Sequence, residues 1–186
     1  MFFWYILIII IALFLLIYLW STYNAFIRSR NQVKTDFANV DVQLKRRASL
    51  IDNLVEVVRE YSKHEKDTFQ NVALARSALN QPHGPKEAAH VENMLADTMK
   101  TLFAVSESYP KLRASENYQR LQGDLKETED NIAKYRETYN QSVMAYNTLI
   151  QIFPNLLVSG LFGFPEEELF QAMGTDRDSI VIKPGK

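Results

Sequence analysis

Chemistry would have to start from three histidines, His64, His83 and His90, and the carboxylates near them. His83, Glu87 and His90 form an H-x3-E-x2-H spacing, and a helix would bring Glu87 and His90 onto one face. A zinc site needs more convergent ligands than that. His83 also falls in the turn Asn80-Gln81-Pro82-His83-Gly84-Pro85, so exposed turn residues are the expectation. His64-Glu65 has the types for an acid–base pair, but Lys63, Lys66 and Asp67 beside it describe a solvated face. Glu127, Glu129 and Asp130 offer carboxylates to a hard cation, and an exposed helix face explains them better. The chain has no cysteine, which excludes thiolate nucleophiles, disulfides and cysteine metal sites. It contains no GxSxG, P-loop or GxGxxG pattern. No catalytic residue, cofactor or metal is therefore expected.

The second charged feature is a basic run. Arg28, Arg30, Lys34, Lys45, Arg46 and Arg47 outnumber Asp36 and Asp41 over the same residues. The formal net charge of the 186 residues is −1, so nucleic acid is not an expected partner and any basic effect is local. Topology and solvation account for Arg28 and Arg30. Lys45 lies roughly 33 Å beyond Tyr23 on an upright helix, several Debye lengths from a lipid surface. On such a helix the triplet Lys45–Arg47 makes sense as contact with an acidic neighbour, such as Glu127 to Asp130 of the third helix, in the same subunit or another. A helix lying on the membrane would instead bring the triplet to anionic headgroups. Helix contact is the favoured reading.

The elements that must carry these residues begin with a membrane anchor. Phe2 to Trp20 reads FFWYILIIIIALFLLIYLW, and no charge appears before Arg28. Nineteen residues at a 1.5 Å rise cover roughly 28 Å, near the thickness of the hydrocarbon layer. Phe2, Trp4 and Tyr5 sit towards one end, and Leu16, Tyr18 and Trp20 towards the other, with aromatic residues placed as interfacial belts. A cleaved signal peptide would want a basic start and a small-residue cleavage site, and neither is present. The cations follow the span, so the positive-inside rule puts the N-terminus outside and the rest in the cytoplasm.

Beyond the span, Phe26, Arg30, Val33, Phe37, Val40, Leu44, Arg47, Ile51, Leu54 and Val58 keep an unbroken 3-4 spacing, which continues to Leu79. This is a heptad seam with Arg47 in it and Lys45 and Arg46 outside it. It predicts one helix over about 23–80, stable only against partners. Further helices are expected over 87–108, with a seam through Val91, Leu95, Thr98, Leu102 and Val105, and over 116–152, with Ser115 capping the last. The seam of the last runs through Tyr118, Leu121, Leu125, Thr128, Ile132, Tyr135, Tyr139, Ser142, Tyr146 and Leu149, and its tyrosine hydroxyls need partners if buried. Pro110 either reverses the chain, sending the third helix outward, or kinks it, so that the second and third helices together match the first and return Phe153 to the membrane. Within residues 153–174 an apolar segment comes first, with Phe153, Leu156, Leu157, Leu161, Phe162 and Phe164. A short helix follows, started by Pro165 and Glu166 to Glu168 and ending near Met173. The apolar segment has three readings: a plug for the bundle end, a contact for a neighbouring subunit, or a shallow insertion in lipid. The tail 175–186 should be mobile.

The runs DVQLKRRASLIDNLVEVVREYSKHE, ESYPKLRASENYQRLQ and ETEDNIAKYRETYNQSVMAYNTLIQIFPN, with FGF at Phe162–Phe164, resemble the LemA family of bacterial envelope proteins. The resemblance covers nearly all of the chain after the anchor. It implies a bacterial source, a single N-terminal span, an antiparallel helical domain on the inner side, and no defined activity. Leu50-Ile51-Asp52-Asn53 departs from the family's LIPN, and losing that proline makes the helix more continuous.

Together these readings predict an all-α fold: a transmembrane anchor (1–22) continuing into a long antiparallel helical bundle (23–152) with coiled-coil-like packing. The expected function is a non-enzymatic scaffold at the bacterial inner membrane that self-associates and organises or shapes the membrane or recruits partners. The alternative is a transmembrane signalling or adaptor module acting on a cytoplasmic partner.

Overall fold

The protein is described by a computed structural model covering residues 2–61, 74, 77 and 84–170. Helix α1 (Phe2–Tyr61) runs without a break from the apolar stretch through the seam, and passes Asp52 as the absence of proline there predicts. Helix α2 spans Pro85–Glu107, α3 is a single turn at Pro110–Arg113, α4 spans Glu116–Gln151, and α5 spans Asn155–Phe162. Among the described residues there is no strand. The chain divides into two compact units, one joining residues 1–40 to 134–169 and the other containing 41–133. The expected continuation of the first helix to residue 80, His64, His83, the helix end near Met173 and the tail lie outside the described residues.

In the first unit, α1 and α4 run in opposite directions. Phe37 packs on Tyr139 with ring centroids 5.6 Å apart, and earlier on α1 Arg30 shares Glu167 with Asn147, which is later on α4. The seam residues Phe26, Val33 and Val40 are buried, as are Tyr139, Val143, Tyr146 and Ile150 of α4. The stretch Phe2–Trp20 is the opposite case, its side chains almost all exposed.

In the second unit, Leu44, Ile51, Leu54 and Val58 of α1 are buried together with Val91, Leu95 and Leu102 of α2 and Tyr118, Leu125 and Ile132 of α4. These are seam positions read from the 3-4 spacing, so the apolar stripes are covered within one chain. Two seam threonines, Thr98 and Thr128, are buried because each hydroxyl donates to the carbonyl four residues back, Met94 and Asp124, both at 2.8 Å.

Pro110 reverses the chain. The Ser108 and Tyr109 amides close α2 by donating to the carbonyls of Val105 and Ser106. The Tyr118 amide then meets Ser115 Oγ at 3.4 Å at the start of α4. Across the reversal the hydroxyls of Ser106 and Tyr118 are 2.6 Å apart and buried, and Phe103 packs edge-on to Tyr118. The outward run expected to follow such a turn is not found, because the segment after α4 lies beside Tyr18 and Tyr23 in the first unit.

A second expectation is corrected at Pro165. No helix starts there: residues 164–170 are non-helical, and the helix lies earlier, at Asn155–Phe162. The backbone groups that a helix at Pro165–Glu168 would use are taken by side chains of α4. Tyr146 donates to the Pro165 carbonyl at 3.0 Å and Tyr139 to that of Glu168 at 2.7 Å. Asn147 clamps Glu167 from both sides, accepting from its amide and donating to its carbonyl, each at 2.9 Å. Two seam tyrosines and Asn147 thereby hold a non-helical strap.

Candidate functional site

Of the histidine–glutamate spacing, Glu87 and His90 are described and His83 is not. The Glu87 carboxylate accepts the Gly84 amide at 3.1 Å and caps α2, with Pro85 opening the helix. His90 is exposed. Among the described residues no group of three or more His, Asp or Glu could hold a metal ion.

The six basic residues divide by unit. In the first, Arg30 Nε pairs with Glu167 of the strap at 2.9 Å. Arg28 and Lys34 are exposed and make no ion pair among the described residues. In the second, Lys45 pairs along its own helix with Asp41 at 2.7 Å, Arg46 lies 3.7 Å from Glu127, and Arg47 lies 3.6 Å from Glu129. Arg47 differs from its neighbours because it occupies the seam: its side chain is only 2% exposed, while Glu129 is 55% exposed. Burial pushes its pKa down, and the charges of Glu129 and Glu92 act against that. Its Nε and Nη2 are buried without a hydrogen-bond acceptor among the described residues.

Of the seam tyrosines of α4, Tyr139 and Tyr146 have their hydroxyls satisfied by the strap. Burial pushes Tyr139 up to about 12, and Glu167 and Glu168 add to the rise. Burial also raises Tyr146, with Arg30 opposing it and Glu167 adding to it. Both phenols are held in the neutral form that donates to a carbonyl. The periodicity placed these tyrosines on the buried face, but it held no signal for the strap they bind.

At the end of α4 the chain turns through a cis Phe153–Pro154 peptide into α5. Tyr18 donates to Asn155 Oδ1 at 2.7 Å. Tyr23 meets the rings of Phe162 and Phe164 at 5.2 and 5.6 Å, and Phe26 meets Phe164 at 5.1 Å. Phe164 is half-buried, whereas Phe153, Leu156, Leu157, Leu161 and Phe162 are exposed. Phe2, Trp4, Tyr5, Leu16 and Trp20 of the apolar stretch are exposed as well. Among the described residues α1 is the one helix long and apolar enough to cross a membrane.

Comparison with known proteins finds relatives of this chain. Two magnetosome proteins of Paramagnetospirillum magneticum, MamQ 1 and MamQ 2, are each 26% identical over 87% of this chain and 69% of their own length. Magnetosome protein MamQ of Magnetospirillum gryphiswaldense is 23% identical over the same shares. With the exposed apolar helix, these likenesses make the chain a membrane-associated helical protein. The model of the LemA family matches residues 36–183, four-fifths of the sequence, and the chain belongs to the LemA family.

Proposed function

We propose that this chain is a non-enzymatic scaffold of the bacterial inner membrane, single-pass, with its N-terminus outside and its bundle in the cytoplasm. The observation that carries the reading is the division of its surface. One exposed apolar stretch, Phe2–Trp20, stands beside a bundle whose seams are filled by side chains and whose outer faces are charged. The exposed cations Arg28 and Lys34 follow the span directly, which favours a cytoplasmic bundle by the positive-inside rule.

Self-association is the second part of the proposal. Because the seams are covered within one chain, it falls to the outer faces. Arg46 and Glu127 form a loose pair at 3.7 Å, 45% and 61% exposed, so each keeps donors or acceptors for a second copy. The relatives are named for the magnetosome rather than for a reaction, which supports a component role over a catalytic one.

Crosslinking in native membranes at native abundance, followed by imaging of the lipid-embedded particle, tests this. Multimers of the chain alone are expected. A purely monomeric chain, or a stoichiometric complex with a different protein as an adaptor would form, overturns the scaffold reading.

A further inference from the structure

We infer that the tip formed by the end of α4 and by α5, residues 152–162, inserts into the same lipid leaflet that α1 enters, as a second, non-spanning membrane contact. The inference rests on the proposed membrane span of α1.

The first observation is that α5 is inside out for a water-facing helix. Its inward residues are Val158 and the polar pair Asn155 and Ser159. Its outward residues are Leu156, Leu157, Leu161 and Phe162, and Phe153 at the turn is 80% exposed. No charged residue occurs from Gln151 to Pro165. A plug for the bundle would bury its leucines, and a helix facing water would show its polar residues. Only an apolar medium suits leucines turned out and an asparagine and a serine turned in.

The second observation is independent of exposure. Backbone that enters lipid must satisfy its polar groups internally. At this tip, the carbonyl of Thr148 accepts the Ile152 amide, that of Leu149 accepts Asn155 Nδ2, and that of Ile150 accepts Ser159 Oγ. The carbonyls of Ile152 and Pro154 accept the Leu156 and Leu157 amides. The two polar side chains of α5 thus close the exposed end of α4, which would otherwise present bare carbonyls to the hydrocarbon.

The third observation names the occupant. Asn155 is bonded to Tyr18, inside the apolar stretch and two residues before Trp20, while Phe162 and Phe164 lie against Tyr23 and Phe26. The tip is therefore level with the end of the span and continuous with its exposed surface. The exposed cations Arg28 and Lys34 come next along α1, beyond the span.

The natural absence of cysteine makes the test direct. Single cysteines at Leu157, Leu161, Ile9 and Met144 of the full chain carry an environment-sensitive fluorophore in phosphatidylglycerol–phosphatidylethanolamine vesicles. Met144 is an exposed apolar residue of α4 and serves as the aqueous control, and Ile9 reports the span. Labels at 157 and 161 should be quenched by a shallow acyl-chain quencher and resist iodide several-fold better than the label at 144. If Ile9 is quenched by lipid but 157 and 161 respond like 144, the inference fails and the anchor stands. Labels at 157 and 161 shielded from both quenchers would place a second copy there and also overturn it. If Ile9 itself escapes the lipid quencher, the anchor is wrong and the insertion falls with it.

Discussion

The Tyr18 hydroxyl and the Asn155 side chain meet at 2.7 Å, joining the apolar end of α1 to the start of α5 across 137 positions of sequence. Asn155 works in both directions, since its Nδ2 donates to the Leu149 carbonyl at 2.9 Å. Tyr18→Phe should cost about 1 kcal/mol, one hydrogen bond, because the amide keeps its second partner. Asn155→Ala also strands the Leu149 carbonyl and should cost about 1–3 kcal/mol. Hydrogen exchange of residues 155–164 in nanodiscs, faster in Asn155→Ala than in Tyr18→Phe, checks the order.

The strap carries a pH dependence that follows from Tyr139. Its folded pKa is raised from about 10 to about 12. An acid whose folded pKa is raised contributes stability that is complete below its unfolded pKa and is lost as pH climbs through the folded one. Stability should therefore be flat in this group up to pH 10 and fall between about pH 10 and 12. Tyr139→Phe should remove that part of the fall and cost about 1 kcal/mol at neutral pH. Denaturant melts of both proteins across pH 8 to 12 measure the difference, and parallel curves would refute it.

Arg47 is a buried cation with an imperfect partner, so its replacements should separate. Arg47→Met keeps the length, removes two unsatisfied nitrogens and should be neutral or stabilising by about 1 kcal/mol. Arg47→Ala leaves a cavity in the seam and should destabilise by about 2–4 kcal/mol. Glu129→Gln, which leaves the guanidinium only the charge of Glu92, should cost about 1 kcal/mol or less. Thermal melts rank the three, and a Met variant as unstable as the Ala variant would mean that the charge itself holds the bundle.

Glu87 is engaged as a helix cap rather than as a ligand. Glu87→Ala should lower stability by about 0.5–1 kcal/mol through loss of the Gly84 contact. Replacing His64, His83 and His90 together by Ala should leave the circular dichroism spectrum and the melting temperature unchanged, with or without added zinc. A melting temperature that zinc raises in the parent chain and not in the triple variant would revive the metal reading.

The seams were legible because burial in long helices leaves a period in the sequence. Phe26, Val33, Val40, Leu44, Ile51, Leu54 and Val58 are buried at the positions the 3-4 spacing names, and Arg47 is buried among them while Arg46 is not. The apolar stretch and the family were legible for the same kind of reason, since each is a local pattern of residue types. Two features were not. The strap at residues 164–169 has a proline and three acids that suit the start of a helix, and it is non-helical because Tyr139, Tyr146 and Asn147, some twenty to thirty positions earlier, take its backbone groups. The inverted orientation of α5 was equally hidden: its composition announces an apolar segment, but which side of it faces the protein depends on where Tyr18 and the end of α4 stand. Local chain chemistry determined what could be helical and what must avoid water, because propensity and periodicity act over a few residues. Tertiary contacts alone decided which helix ends were closed, by which side chains, and which apolar surface was left uncovered, because hydrogen bonds between distant residues leave no period to read.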